Sequence, residues 1–205
     1  MRNTAHYFTD NTNLEENRKD HSFRFSGTLF TFTTDNGVFS KTEVDKGTQV
    51  LLEAVCKQKL SGKVLDMGCG YGPVGIAVKK LYPECEVTSV DINPRAVELT
   101  QLNSEKNEVK IHAYVSDGFK EVKDMYDHVI TNPPIRTGKK VIYQMFSDAY
   151  DHLNDNGDLT AVIRRKQGAE SAVKKFTEIF GNCEVISREK GYWVLQSHKI
   201  DGLNG

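Results

Sequence analysis

Short apolar runs alternate with helix-length amphipathic segments along the chain from Lys63 onward. The first run, Lys63–Asp66, leads directly into a glycine-dense turn and then into a segment of helical period. Such alternation is typical of a parallel sheet with helices on both faces. The last two predicted strands, Glu184–Ser187 and Tyr192–Ser197, are too close for a helical crossover and must pair antiparallel. We therefore predict an α/β fold, a doubly wound sheet that ends in an antiparallel hairpin.

The other elements are predicted from apolar period and turn residues. The further strands are Glu86–Asp91, Lys110–Val115, His128–Thr131 and Asp158–Ile163, and the helices are Val74–Leu81, Pro94–Asn107, Lys139–Leu153 and Ala169–Phe180. Upstream, an aromatic-rich segment with turn residues at Ser26-Gly27 and Asp35-Asn36-Gly37 predicts a β-hairpin, and a helix is expected over Thr48–Lys57. We divide the chain into an N-terminal polar lead-in and hairpin, 1–45, and one α/β domain, 46–205.

The composition restricts the expected cellular compartment and the expected binding partners. The 205 residues carry 27 basic and 28 acidic side chains, so a long basic arm or an acidic tail is not the main binding device. A local basic patch for nucleic acid is compatible with that balance. The sequence shows no apolar export segment, no run that could span a bilayer, and four widely spaced cysteines. We expect a cytoplasmic protein with free thiols, no membrane partner and no metal site. The sequence does not indicate whether the chain forms oligomers.

The turn after the first strand carries the strongest ligand signal. Its glycines Gly68, Gly70 and Gly72 allow positive φ and let a ligand approach the backbone at the start of a helix. Asp91 ends the second strand, where a carboxylate can bind ribose hydroxyls. Asp66 ends the first strand, where it would repel a pyrophosphate but attract the ammonium group of an amino-acid tail. The pocket therefore favours S-adenosylmethionine over NAD as the cofactor.

The end of the third predicted strand adds a weaker signal. Asp117 can accept a hydrogen bond from an adenine amino group, although an Asp-Gly turn is equally expected there on structural grounds. Ile92, Gly118 and Asn132 complete the predicted cofactor-binding set.

An Asn132-Pro133-Pro134 motif ends the fourth strand, over the same crevice, because ligands of open α/β sheets bind outside the carboxyl ends of the strands. The prolines hold Asn132 out of helical conformation. The Asn132 side-chain oxygen and the Pro133 carbonyl can each accept one hydrogen of a planar amino group, which aims its nitrogen at a methyl donor. We predict Asn132 and Pro133 as the catalytic pair; the alternative is a proline-rich loop that simply ends a strand.

Basic side chains follow both of the last parallel strands. Arg136, Lys139 and Lys140 come after the Asn-Pro-Pro motif, and Arg164 and Arg165 end the fifth strand. Since these strand ends meet at one edge of the sheet, the cations are placed to bind a phosphate backbone beside the reacting base. A solvated helix start or loop is the alternative for each cluster.

These motifs resemble those of the class I S-adenosylmethionine-dependent methyltransferases. The Asp-Met-Gly-Cys-Gly-Tyr-Gly, Val-Asp-Ile-Asn and Asn-Pro-Pro-Ile-Arg segments, with Asp45-Lys46-Gly47-Thr48 upstream, are similar to the methyltransferase small domain family. That family includes ribosomal small-subunit RNA guanine-N2 methyltransferases of the RsmC type. The resemblance implies a Rossmann-like sheet of seven strands, and methyl transfer to guanine N2 of ribosomal RNA in a small-subunit particle. It places cofactor contacts at Asp66, Gly68, Gly70, Asp91 and Asp117, and amine contacts at Asn132 and Pro133.

Two features depart from that family. Position 135 is Ile, where many amino-methylating relatives carry an aromatic residue that stacks on the target base. Stacking is therefore expected either from Phe30, Phe32 or Phe39 or to be weaker. Longer RsmC-type enzymes carry an additional N-terminal domain that we do not expect in this chain. The alternative functions are methylation of a protein glutamine amide or of adenine N6, a nicotinamide-dependent oxidoreductase, and a non-catalytic RNA-binding relative.

Overall fold

Residues 17–36, 44–134 and 137–200 are described by a computed structural model of the chain. Within these residues, an antiparallel hairpin precedes a larger sheet. The hairpin strands are β1 (Lys19–Phe25) and β2 (Thr28–Thr34), and the strands of the larger sheet are β3 (Lys63–Met67), β4 (Glu86–Asp91), β5 (His112–Val115), β6 (Tyr126–Thr131), β7 (Leu153–Arg164), β8 (Glu184–Glu189) and β9 (Tyr192–His198). The helices are α1 (Lys46–Val55), α2 (Pro73–Leu81), α3 (Pro94–Lys106), α4 (Lys139–Asp151) and α5 (Ala169–Phe180).

The larger sheet has seven strands in the order β5-β4-β3-β6-β7-β9-β8. The first five in that order are parallel, and β9 runs antiparallel to both β7 and β8. This confirms the predicted fold class, including the terminal hairpin. Among the described residues, none of the helices combines the length and the apolar composition of a membrane span.

Helices cover both faces of this sheet. Side chains of α1, α2, α3 and β2 share one apolar cluster, and those of α4 and α5 share the other. Adjacent residues of β3 divide between the two clusters, since Val64 packs in the first and Leu65 in the second. Strands buried on both faces give the near-continuous apolar runs that the sequence shows.

Several element boundaries differ from the prediction, among them the starts of α1 and β7. Helix α1 begins two residues before the predicted Thr48, because Asp45 caps it; its Oδ1 accepts hydrogen bonds from Gly47 N at 3.0 Å and Thr48 N at 3.1 Å. Strand β7 begins at Leu153 rather than at the predicted Asp158, and Leu153 pairs with β6 across a register shift.

The N-terminal hairpin is fastened to α3 by two asparagines one helical turn apart. Asn107 exchanges hydrogen bonds with Thr31, at 3.0 Å to its N and 2.8 Å to its O. Asn103 does the same with Thr33, at 2.7 and 2.9 Å. The two amides therefore satisfy one edge of β2, as a neighbouring strand would. The predicted turn at Asp35-Asn36-Gly37 extends beyond the described residues, and the division of the chain at residue 45 stays a prediction.

Candidate active site

A cavity of about 300 Å³ lies at the carboxyl edge of the parallel strands. The predicted residues that line it are Asp66, Gly68, Gly70, Asp91, Asn132, Pro133 and Arg164. It is also lined by Asp45, Thr48, Gln167 and Tyr192, none of which was among the predicted site residues. Folding thus brings the glycine turn and the Asn-Pro-Pro motif to one cavity, as their strand positions indicate.

Asp66 is a buried carboxylate at the end of β3, only 2% exposed. Its Oδ2 accepts a hydrogen bond from Gly75 N at 2.9 Å. Burial is the main cause that raises the pKa of Asp66 to about 7. The hydrogen bond from Gly75 lowers this pKa, and the negative charge of Asp91 raises it. A cation bound in the cavity would stabilise the ionised form of this carboxyl group.

Gly75 explains how α2 comes so close to Asp66. A Cβ at this position would lie 2.4 Å from Ser89 Oγ and 3.1 Å from Asp66 Oδ2. A Cβ at this position would therefore force the Ser89 side chain to shift and would press on the Asp66 carboxylate. The contact brings the N-terminal turn of α2 against the end of β3.

Asp91 ties the end of β4 to the glycine turn. Its Oδ2 accepts a hydrogen bond from Gly70 N at 2.9 Å, and its Oδ1 accepts one from Asn93 N at 2.9 Å. Burial raises the pKa of Asp91, although these backbone hydrogen bonds lower it. The carboxylate is therefore held rigidly in the cavity wall, beside the backbone of the glycine turn.

The three predicted glycines have different roles. Gly68 and Gly70 have φ of +74° and +58°, and nothing lies within 4 Å of where a Cβ would be. A Cβ on Gly72 would lie 2.9 Å from Ile76 Cδ1, and Gly72 does not line the cavity. Gly72 is therefore a packing residue at the start of α2 in this structure, while Gly68 and Gly70 leave backbone open to a ligand.

The side-chain amide of Asn132 is oriented by the first turn of α1. Asn132 Nδ2 donates a hydrogen bond to Thr48 Oγ1 at 3.0 Å and lies 3.4 Å from Asp45 Oδ1. The Thr48 hydroxyl in turn donates to Asp45 Oδ2 at 2.6 Å. Because a carboxylate only accepts hydrogen bonds, the amide nitrogen must face Asp45. The Asn132 oxygen is then left for a donor in the cavity, which the buried Pro133 also lines.

The other predicted cofactor residues lie outside the cavity lining. Ser116 N donates a hydrogen bond to Asp91 O at 3.0 Å, so the turn that contains Asp117-Gly118 lies next to the end of β4. Asp117 forms a surface ion pair with Lys120. Ile92 is 41% exposed. These residues form a rim beside Asp91 rather than part of the cavity.

The predicted phosphate-binding cations divide between two neighbouring depressions. Arg164 lines the main cavity. Lys139 and Arg165 line an open cleft that shares Gln167 with it. Lys140 is exposed and lines neither. Three of the cations are thus arranged along one edge of the site.

The stacking role predicted for two phenylalanines is wrong. Phe30 and Phe32 are 0% exposed, because β2 turns both side chains into the core that it shares with α1 and α2. They cannot contact a base. Phe39, Ile135 and Arg136 lie outside the described residues.

Sequence reasoning missed residues whose roles depend on distant neighbours. Asp45 followed by Thr48 is a helix-capping signal, but nothing local shows that this cap touches Asn132. Tyr192 comes to the carboxyl edge because β9 is antiparallel, which pairs it with Arg164. The predicted antiparallel hairpin indicates this position for Tyr192, because it places the first residue of the last strand at the carboxyl edge of the parallel strands.

The described residues contain neither a cluster of metal ligands nor a cavity thiol with a lowered pKa. No group of three or more His, Cys, Asp or Glu side chains in this part of the chain could hold a metal ion. Cys69 lines the cavity, but burial raises the pKa of its thiol well above the usual range. A thiol of that kind is a poor nucleophile.

Sequence comparison identifies relatives of this chain. The methyltransferase small domain family matches residues 29–196. The uncharacterized protein YbxB of Bacillus subtilis is 39% identical over 200 residues, which cover 96% of this chain and 100% of YbxB. Ribosomal RNA small subunit methyltransferase C of Haemophilus influenzae is 37% identical over 130 residues, which cover 62% of this chain and 39% of that protein.

A solved structure gives the same assignment. The T. thermophilus 16S rRNA N2 methyltransferase RsmC, in complex with AdoMet and guanosine, matches with a TM-score of 0.81 and 27% identity. The match covers 89% of this chain and 50% of RsmC, so the chain spans half or less of these two RsmC relatives. Together with the family match over residues 29–196, this similarity confirms the family that the sequence motifs resemble. The chain therefore belongs to the methyltransferase small domain family.

Proposed function

We propose that this protein transfers the methyl group of S-adenosylmethionine to an exocyclic amine of RNA, namely guanine N2 of small-subunit ribosomal RNA, in the cytoplasm. The observation that carries the proposal is a single cavity that contains both Asp66 with Asp91 and the Asn132-Pro133 pair. The names of two relatives support the substrate, since one is a ribosomal RNA small subunit methyltransferase and the other was solved with AdoMet and guanosine.

The residues of the cavity fit the cofactor. The buried carboxylate of Asp66 suits the ammonium group of the methionine tail, and that of Asp91 suits the ribose hydroxyls. Gly68 and Gly70 expose backbone without a side chain between it and the ligand. When bound, S-adenosylmethionine supplies an electrophilic methyl group on a sulfonium. The rim residues proposed to border the adenine ring are Ile92, Asp117 and Gly118.

Orientation of the amine is the chemistry that we assign to the protein itself. The lone pair of an exocyclic amine is delocalised into the ring, so the amine is a weak nucleophile. Asn132 Oδ1 and the Pro133 carbonyl would each accept a hydrogen bond from one N–H of the amine and hold the nitrogen toward the methyl group, and the nitrogen would release one proton to solvent as it gains the methyl group. Thr48 and Asp45 fix the Asn132 amide, which keeps Oδ1 in position before the substrate arrives.

The substrate is proposed to be an unstacked base, because an amine inside a helix stack cannot reach a buried site. Arg164 lines the cavity, and Lys139 and Arg165 line the adjoining cleft, where Glu170 pairs with Arg165 at 3.7 Å. The three basic side chains would bind the phosphates that flank the target nucleotide, with Lys140 and Arg136 as further proposed contacts.

Transfer of a labelled methyl group tests the proposal. Purified protein is incubated with labelled S-adenosylmethionine and small ribosomal subunits from cells that lack the protein. We expect label in the RNA fraction, and much less with Asn132→Ala. Label in a protein, or at adenine N6, would instead support the alternative substrates and contradict the RNA guanine assignment.

A further inference from the structure

We propose that Tyr192 is the stacking surface for the target base. It would replace the aromatic residue that many amino-methylating relatives carry at position 135, which is Ile in this chain. The inference rests on the proposed function and deepens it, because it names the residue that binds the unstacked base.

The topology of the terminal hairpin brings Tyr192 to the site. Strand β9 is antiparallel to β7, so its first residue lies at the carboxyl edge of the sheet, opposite Arg164. Arg165 N donates a hydrogen bond to Gly191 O at 2.9 Å, which fixes the turn just before Tyr192. Tyr192 consequently lines the same cavity as Asn132 and Pro133.

Gly47 shows that the start of α1 accommodates this ring. A Cβ on Gly47 would lie 3.1 Å from Tyr192 Cε1 and 3.1 Å from Asp45 Oδ1. Gly47 is the second residue of α1. Here it lets the Tyr192 ring lie against the same helical turn that holds the Asn132 amide. The ring and the proposed amine-binding group are therefore positioned by one structural element.

The other aromatic side chain in the cavity lining is less suited to stacking. Tyr71 is 3% exposed, and its ring packs edge-on against Phe32 with centroids 5.6 Å apart. Tyr71 also belongs to the glycine turn, at the cofactor end of the cavity. Tyr192 is only partly buried and lies near the Asn-Pro-Pro end. Among the described residues, it is the aromatic side chain best placed for a base.

Arg164 strengthens this assignment. Its guanidinium carbon lies 5.9 Å from the centroid of the Tyr192 ring. Unpaired bases in RNA complexes stack on aromatic rings and on guanidinium planes, and Tyr192 and Arg164 offer one of each at the same place. The positive charge of Arg164 would also attract the adjacent phosphate.

The test compares Tyr192→Leu, which removes the ring, with Tyr192→Phe, which keeps it. Tyr143→Leu is the matched control, since Tyr143 is also partly buried but lies outside the cavity. Initial rates are measured against small-subunit RNA particles, and binding of S-adenosylhomocysteine is measured by calorimetry. We expect Tyr192→Leu to raise the KM for RNA roughly tenfold to hundredfold, as for the loss of one base–aromatic stack. Tyr192→Phe and Tyr143→Leu should keep the wild-type KM, and all variants should bind S-adenosylhomocysteine normally.

The outcomes separate this inference from the proposed function. If wild-type protein methylates RNA and Tyr192→Leu has the same KM, Tyr192 is not the stacking residue, while the proposed function stands. If Tyr192→Leu loses S-adenosylhomocysteine binding together with RNA methylation, the role of Tyr192 is structural and the inference is wrong. If wild-type protein methylates no RNA, the proposed function and this inference are both overturned.

Discussion

The amide nitrogen of Asn132 lies 3.0 Å from the hydroxyl oxygen of Thr48, which joins the end of β6 to the first turn of α1. Thr48 also donates to Asp45, the residue that caps this helix. The group proposed to orient the amine is thus positioned by a segment more than 80 residues earlier in the chain. The rate of methyl transfer should therefore change when the contact between Thr48 and Asn132 is removed.

Removal of the Thr48 hydroxyl should impair catalysis without unfolding the protein. In Thr48→Val, the side chain keeps its shape but can no longer accept from Asn132, so the amide keeps only its longer contact of 3.4 Å to Asp45 and is held less firmly. We expect the rate of methyl transfer to fall roughly tenfold to hundredfold, as small misplacements of a reacting group cause. Thr48→Ser keeps the hydroxyl and serves as the control. Equal rates for the Val and Ser variants would show that this contact does not position Asn132.

Asn132→Ala should have a larger effect on the same rate. It removes one of the two proposed acceptors, and loss of a single positioned polar group costs on the order of a hundredfold or more in turnover. Binding of S-adenosylhomocysteine should change little, because Asp66 and Asp91 remain. Single-turnover kinetics and calorimetry on the same preparation separate the two effects. A variant that binds cofactor and transfers methyl groups at the wild-type rate would remove Asn132 from the mechanism.

Cofactor affinity should rise with pH near neutrality. In the protein without cofactor, burial raises the pKa of Asp66 to about 7, and only the ionised form attracts an ammonium group. With that pKa, affinity for S-adenosylhomocysteine should increase roughly tenfold from pH 6 to pH 8 and then level off. Asp66→Asn should bind more weakly and lose most of this dependence, while Asp91, whose pKa is also raised, is retained. An equally steep pH profile in Asp66→Asn would assign the titration to another group.

The same ionisation affects stability with a definite sign. The folded-state pKa of Asp66 lies above the value of about 4 expected in the unfolded chain, so the folded protein binds the extra proton between about pH 4 and 7. Its contribution to the free energy of unfolding is therefore lost as pH rises through that window. In chemical denaturation without cofactor, the free energy of unfolding should fall less steeply with rising pH for Asp66→Asn than for the wild-type protein. Identical pH profiles for the two proteins would contradict this assignment.

Gly75→Ala should destabilise the fold although alanine favours helices. The added Cβ would lie 2.4 Å from Ser89 Oγ, a clash that we expect to cost about 1–3 kcal/mol of unfolding free energy. Ser89→Ala removes the hydroxyl, which has no hydrogen-bond partner among the described residues, and should itself be nearly neutral. The double variant should recover part of the loss. Additive effects in this double-mutant cycle would show that Gly75 and Ser89 do not collide.

The sequence predicted those parts of the structure that depend on short-range pattern. Alternating apolar periods give the parallel sheet, and the short spacing before Tyr192 gives the antiparallel hairpin. The positions of Asp66, Asp91 and Asn132 follow, because each ends a neighbouring parallel strand. Each of these predictions depends only on one helix or strand and on the element that follows it in the sequence.

What the sequence could not predict depends on side-chain direction and long-range contact. Phe32 belongs to an aromatic-rich segment that suggests an exposed stacking surface, yet β2 packs it in the core. Gly72 fits a ligand-binding pattern, yet its missing side chain makes room for Ile76. The contact between Thr48 and Asn132 requires the packing of α1 against the end of β6, which no local pattern encodes.

The most direct test of the central claim is nucleoside analysis of RNA after the reaction. Small ribosomal subunits from cells lacking the protein are treated with S-adenosylmethionine and either wild-type protein or Asn132→Ala, and the RNA is digested and analysed by mass spectrometry. We predict that N2-methylguanosine appears with the wild-type protein and is nearly absent with the variant. A different methylated nucleoside, or equal N2-methylguanosine with both proteins, would contradict the proposed reaction at Asn132.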